Sequence, residues 1–348
     1  MTRSHSTKRR RARGTSGHPA QRSASTQRSA STQRSTSTQR STSTRHSARV
    51  TNTRRRMARL REWIGGARLR TLPLSIAPVA LGTGAGGLLI DPGQWHPWRA
   101  VLALAVAVTL QIGVNYANDY SDGVRGTDDF RVGPSRLTGS GAARPRHVAI
   151  VALIFFALSA LAGLVLTLLT GAWWMLAVGA VALAAGWFYS GGRFPYGYYG
   201  LGELGVFVFF GIIATAGSTF VQAGHVNFES WVTGGGMGLI ACCALMANNI
   251  RDRDTDRAAG KRTLAVLMPQ PVYRILYVVA LLVPFVIAGL LAVVYPPIVL
   301  VLFGLLAALP ACLIVLTAKS ARELVLVLHL TSLVAVIYGV GLGVVFAL

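Results

Sequence analysis

Residues 147–169 read HVAIVALIFFALSALAGLVLTLL, a run without one Asp, Glu, Lys or Arg. A helix needs about 20 predominantly apolar residues to cross the hydrocarbon core of a bilayer, and this stretch meets that length. Outward from it, comparable runs fall near 72–90, 99–118, 172–190, 200–222, 231–250, 272–294, 297–317 and 323–347. The pattern predicts an all-α, polytopic membrane protein of about nine transmembrane helices. Its least marked division lies between the seventh and eighth runs, parted only by Tyr295-Pro296-Pro297.

Composition excludes the soluble classes. Of 348 residues, 52% are hydrophobic and 13% charged, against about 25% charged in an ordinary soluble domain. The net charge of +22 is uneven: residues 1–56 hold 15 Lys/Arg and no acid, leaving +7 for the remainder. The basic balance therefore describes a tail and is no nucleic-acid footprint of the whole chain. Cys242, Cys243 and Cys312 lie inside apolar runs without metal-ligand spacing, and read as small buried hydrophobes.

The tail repeats Gln-Arg-Ser-x-Ser-Thr from Gln21, Gln27, Gln33 and Gln39. With almost no apolar surface to bury it is expected to be disordered. Clustered Arg beside a membrane attracts anionic lipid, and an acid-free Arg/Ser-rich N-terminus also resembles a transit peptide. A third reading starts from Met57-Ala58-Arg59-Leu60-Arg61-Glu62-Trp63-Ile64, which looks like an ordinary start before the first span. On it, residues 1–56 are a dispensable upstream extension of a folded domain at 57–348, and deleting them leaves activity intact.

The connections alternate in charge. Those after the second, fourth, sixth and eighth runs carry thirteen Lys/Arg, from Arg125 to Arg322; the others carry only Arg99. The positive-inside rule then places the even connections and the N-terminus in the cytoplasm, and the C-terminus outside. The two longest, about 119–146 and 251–271, are both cytoplasmic, both open on an Asn/Asp cluster, and stand four spans apart. This suggests two four-helix halves plus a ninth helix.

Seven of the 12 acids sit in these clusters. The first reads Asn115-Tyr116-Ala117-Asn118-Asp119-Tyr120-Ser121-Asp122, followed by Asp128 and Asp129. The second reads Asn248-Asn249-Ile250-Arg251-Asp252-Arg253-Asp254-Thr255-Asp256. Helical spacing puts Asn118 with Asp122 on one face, Asn115 with Asp119 on its neighbour, and Asn248, Asp252 and Asp256 in one row. Oxygens converging from two helices suit a hard cation such as Mg²⁺, which completes its shell with phosphate and water. Carboxylates near a membrane are costly unless paired, hydrated or metal-bound. The plainer alternative is a pair of solvated helix ends balanced by Arg251, Arg253 and Arg257.

The candidate cation ligands are thus Asn118, Asp122, Asp128, Asn248, Asp252 and Asp256, with Asp119 and Lys261 added as catalytic candidates. Arg125, Arg136, Lys261 and Arg262 follow the clusters and are candidates for a diphosphate; positive-inside sorting competes as their explanation. The turn from Tyr189 to Glu203 is rich in Gly and aromatics. Tyr189, Tyr196 and Glu203, with Tyr116 of the first cluster, are candidates for an aromatic or acceptor pocket, since aromatic faces stabilise cations; interfacial anchoring competes for each Tyr.

These residues resemble the UbiA-type superfamily of intramembrane prenyltransferases. Asn118, Asp119 and Asp122 look like its Asn-Asp-x-x-Asp motif, Asp252 and Asp256 like its Asp-x-x-x-Asp motif. Asp254 is an extra acid inside the latter. Within the superfamily, 118–128, Gly133-Pro134-Ser135-Arg136-Leu137, Pro195 to Glu203, Asn248 to Asp252, Ala259 to Leu264, and Ala67 to Pro73 resemble the branch that prenylates 1,4-dihydroxy-2-naphthoate in menaquinone synthesis. The resemblance covers about 62–348. It implies nine helices around a central cavity, a cytoplasmic-side active site and a lipid-facing opening for the prenyl chain. It also implies Mg²⁺ held on a polyprenyl diphosphate by Asn118, Asp122, Asp252 and Asp256, with Lys261 and Arg262 nearby. The implied partners are that diphosphate, the naphthoate and membrane lipid, with no nucleic acid. Two rivals remain: another acceptor within the superfamily (4-hydroxybenzoate, homogentisate, haem, chlorophyllide or a sugar phosphate) and a cation-coupled transporter.

Overall fold

The structure, a computed structural model, describes residues 58–91, 93–127 and 136–348. The tail and Asp128 fall outside them, so the expectations placed there are not addressed by the fold. The described residues are helical, without strands. A short helix not foreseen from sequence, α1 (Leu60–Ala67), precedes α2 (Pro73–Gly87), α3 (Pro97–Val124), α4 (Pro145–Thr170) and α5 (Trp174–Phe188). A turn holding a 3₁₀ segment (Tyr196–Tyr199) leads to α6 (Gly202–Val206), a π-helical stretch (Phe207–Ile213) and α7 (Ala214–Ala223), which run on as one rod. Then follow α8 (Phe228–Ala258), a single turn α9 (Leu264–Leu267), α10 (Gln270–Leu291), a 3₁₀ stretch (Pro296–Gly304) continuing into α11 (Leu305–Thr317), and α12 (Ala321–Ala347).

Seven of these rods are long and apolar enough to cross a membrane. The other two expected spans coincide with α2 and α5, of 15 residues each. At about 1.5 Å per residue, each reaches only about 22 Å of a core about 30 Å thick. Sequence hydropathy overestimates both because apolar residues continue past the helix ends: Leu88-Leu89-Ile90 follows α2, and Ala172-Trp173 precedes α5.

α3 and α8 err in the other direction. With 28 and 31 residues they run about 42 and 46 Å, longer than the hydrocarbon, and the surplus turns carry the two Asn/Asp clusters. α8 is the central post: 72% of its most apolar stretch is buried inside the protein, against 28% for α4. The leucines that α4 turns outward, such as Leu153, Leu161 and Leu168, are a lipid-facing surface. Close packing relies on glycine. A Cβ on Gly84 of α2 would stand 1.9 Å from the carbonyl oxygen of Gly343 in α12, and one on Gly211 in the π stretch 2.4 Å from Cα of Gly238 in α8. Backbones touch there, as at small-residue interfaces between membrane helices. Cys242, Cys243 and Cys312 are free and buried.

Candidate active site

The surplus turns of α3 and α8 face one another across a cavity of about 210 Å³. Asn118 and Asp122 line it from α3; Asn248, Asp252 and Asp256 line it from α8. The ammonium of Lys261, just past α8, lies 3.5 Å from Asp122 and 3.6 Å from Asp256. One cation thus touches a carboxylate from each cluster, although 134 positions separate the two acids in the chain. Arg136 adds a second cation 3.2 Å from Asp122.

Asp122 is the hub. Besides these two cations it accepts a hydrogen bond from the hydroxyl of Tyr198, and its side chain is 6% exposed. The Tyr198 ring lies under the Lys261 ammonium, 4.6 Å from it to the ring centre, a cation–π distance. Burial, then the Asp122 charge beside it, holds the Tyr198 phenol above its ordinary pKa. Burial pushes Tyr196 up to about 12. Both phenols therefore stay neutral at physiological pH, so the cavity wall presents no phenolate. Tyr189 and Tyr196 meet edge-to-face with ring centres 5.5 Å apart, and both line the cavity.

Several candidates stand elsewhere. Asp119 receives the backbone N–H groups of Leu137 and Thr138, each at 2.8 Å, one on either oxygen. It is 2% exposed and is not a cavity-lining residue. Its role here is to hold the segment that carries Arg136 to Asp122. Asp119→Ala would leave two backbone donors without their acceptor, at about 1–3 kcal/mol for each that stays buried. The expected result is a lowered thermal midpoint in detergent, and an unchanged midpoint would remove this role.

Arg125 donates to the carbonyls of Ser190 and Gly192, pinning the aromatic turn rather than lining the cavity. Arg262 is exposed and joins the same turn through its backbone N–H, 2.8 Å from the Tyr198 carbonyl. Tyr116 donates to the Trp63 carbonyl at 2.6 Å and stacks on Phe155, away from the cavity. Glu203 sits behind the wall, bonded to Asn249. Arg251 does pair with Asp252 at 2.7 Å, but the two side chains are only 4% and 10% exposed, so this is a buried ion pair and not a solvated helix end. Arg253 instead donates to the carbonyls of Ala265 and Met268.

Residues not singled out in the sequence also line the cavity, notably Arg68, Ser190, Tyr198 and Asn249. Ser190 donates to Oδ1 of Asn118 at 2.6 Å. Arg68 has a left-handed backbone, φ 52°, at the corner between α1 and α2. Its signal lay in the Ala67–Pro73 motif.

The ligand set is all oxygen, as a hard divalent ion requires. Among the described residues no three Asp, Glu, His or Cys side chains form a ready-made cage. Oxygen donors of this kind suit Mg²⁺, which is usually held by one or two carboxylates together with substrate phosphates. A second cavity, about 340 Å³ and almost wholly apolar, shares Leu110, Gln111, Phe209 and Phe210 with the polar one. Both phenylalanines belong to the π stretch, a feature frequent at functional sites. A polar cavity bearing cationic side chains thus stands beside an apolar one, with these four residues lining both.

Several known proteins are similar to this chain. The 1,4-dihydroxy-2-naphthoate octaprenyltransferase of Mycobacterium tuberculosis is 48% identical over 287 residues, covering 82% of this chain and 97% of that one. The Escherichia coli protein of the same name is 36% identical over 62% of this chain and 70% of its own. A UbiA homologue from Archaeoglobus fulgidus, solved bound to DMAPP and Mg²⁺, shares the fold with a TM-score of 0.51 at 14% identity, covering 81% of this chain and 98% of that one. Residues 79–332 match the model of the UbiA prenyltransferase family over most of the chain, and the chain belongs to that family.

Proposed function

We propose that this protein transfers a polyprenyl group from its diphosphate to 1,4-dihydroxy-2-naphthoate, releasing CO₂ and giving demethylmenaquinol for menaquinone synthesis. The observation that carries the reading is the meeting of the two acid clusters at Lys261, beside an apolar channel. The supporting likeness is to relatives bearing that activity in their names.

The allylic C–O bond breaks and its electron pair leaves on diphosphate. The ring carbon forms the new C–C bond to the allylic carbon, and the carboxylate leaves as CO₂, returning its bonding pair to the ring. Mg²⁺, when bound, would neutralise charge on the departing diphosphate; Asn118, Asp122, Asn248, Asp252 and Asp256 are the residues that would hold it, with Asp128 as a further ligand. Lys261 and Arg136 grip the diphosphate from the same side. Tyr189 and Tyr196 offer neutral aromatic faces to the allylic cation. Arg68 supplies a guanidinium for the acceptor's carboxylate. Arg68→Gln is expected to raise KM for the naphthoate about tenfold or more and leave KM for the diphosphate near its original value; equal rises in both would remove the assignment.

The apolar cavity takes the prenyl tail. Gly163, Gly179 and Gly217 line it, and a Cβ on Gly179 or Gly217 would meet nothing within 4 Å. Gly217→Trp is expected to cut turnover of a long-chain diphosphate about tenfold or more while sparing dimethylallyl diphosphate. Equal turnover of both substrates would place the tail elsewhere.

Nine spans surround the cavity as two four-helix halves plus α12, with α2 and α5 completing the count. The protein lies in the cell membrane with its N-terminus and active site cytoplasmic and its C-terminus outside. The excess of Lys/Arg in the even connections supports that orientation. The decisive experiment supplies purified protein with labelled polyprenyl diphosphate, Mg²⁺ and one acceptor at a time. Product from 4-hydroxybenzoate and none from the dihydroxynaphthoate would overturn the acceptor assignment.

A further inference from the structure

Glu203 belongs to α6 and reaches toward α8 and α10 from behind the polar cavity. Its Oε1 accepts from two donors, Nδ2 of Asn249 at 2.9 Å and the hydroxyl of Tyr273. Tyr273 is 1% exposed, so this contact lies inside the helix packing. An oxygen that already receives the Tyr273 hydroxyl is met by the NH₂ end of the Asn249 carboxamide, and turning the amide over would set oxygen against oxygen. With Nδ2 turned to Glu203, the oxygen end, Oδ1, is directed away from it, and Asn249 is one of the residues that line the cavity.

That oxygen is well placed. Asn249 precedes Asp252 by three residues and Asp256 by seven, so the three share one face of α8. Turned the other way, Asn249 would present N–H donors beside two carboxylates, where they repel a cation. Turned as it is, it contributes a neutral oxygen, a donor type that hard cations accept readily.

We propose that Glu203 is a positioning residue that, with Tyr273, locks the Asn249 carboxamide so that Oδ1 joins Asp252 and Asp256 as an oxygen ligand of the divalent cation. The inference rests on the reading of the cavity as a divalent-metal diphosphate site. Partners one step behind a metal ligand typically change affinity about 10–100-fold when removed.

The test uses the full-length protein in detergent, with Mn²⁺ standing in for Mg²⁺ and inorganic pyrophosphate present. Bound Mn²⁺ is read from loss of the free-ion EPR signal, so neither acceptor nor turnover enters. Glu203→Gln, whose amide lets Asn249 face either way, is expected to weaken Mn²⁺ binding about 10–100-fold; Tyr273→Phe, which keeps the ring, shifts it the same way by less. Asn249→Asp, which opposes two carboxylates, weakens binding as well. The double variant Asn249→Asp/Glu203→Gln rebuilds the hydrogen bond with its polarity reversed and is expected to bind more tightly than either single variant. Wild-type affinity in Glu203→Gln and Tyr273→Phe, or a double variant no better than the weaker single one, overturns the inference and leaves the proposed activity standing. Absence of Mn²⁺ binding in the wild type overturns both.

Discussion

Asp122→Asn is expected to reduce prenyl transfer by at least about 10²–10³-fold, the range seen when one electrostatic contact to a developing charge is removed. The expectation follows from what meets at this carboxylate: Lys261 at 3.5 Å, Arg136 at 3.2 Å and the Tyr198 hydroxyl. Asparagine keeps the shape and loses the charge, so the two cations remain with less to balance them. Breaking a buried ion pair from one side costs about 3–5 kcal/mol. The nearby Asp256, 3.6 Å from Lys261, offsets part of that. The measurement is turnover at saturating Mg²⁺ together with the thermal midpoint of the same preparation. Turnover within threefold of wild type would show that the diphosphate is held elsewhere.

Gly84→Val is expected to lower the thermal midpoint steeply. A Cβ there would lie 1.9 Å from the Gly343 carbonyl oxygen and 2.5 Å from its Cα, both of them main-chain atoms that cannot rotate aside. Overpacking an interior typically costs about 1–3 kcal/mol, and a clash between two backbones belongs at or above the upper end. Helix α12 meets α2 at two further points: Cβ atoms on Gly339 and Gly343 would stand 2.6 and 2.5 Å from the carbonyl oxygens of Ala77 and Ala80. The comparison is Gly217→Ala, whose new methyl would meet nothing within 4 Å and should leave the midpoint unchanged. The readout is the fraction surviving a detergent thermal challenge, and equal survival of the two variants would dissolve the argument.

The sequence shows both acid clusters because charge is scarce in an apolar chain. It could not rank their members. Asp119 and Asp122 differ by three positions on one helix, and their separate jobs depend on where the N–H groups of Leu137 and Thr138 arrive from farther along the chain. Helical spacing identified the row Asn248, Asp252 and Asp256 but passed over Asn249, whose orientation is set by Glu203 from another helix. Tyr189 and Tyr196 were legible as cavity aromatics. Tyr198 was not, since its contact with Asp122 follows from the fold of the turn and leaves no mark in composition. Hydropathy found the seven described rods long enough to cross a membrane and marked α2 and α5 as two further spans, missing their brevity, because it measures apolar content and not where hydrogen bonding stops.

The backbone contact between α2 and α12 has a consequence for biogenesis. The first of the apolar helices to leave the ribosome, α2, packs backbone against backbone on α12, a 27-residue helix made after all the other described ones. Until that neighbour is released, α2 keeps an open flank of Gly and Ala toward lipid. A chain interrupted before α12 therefore leaves that flank uncovered and exposes a ready target for membrane quality control.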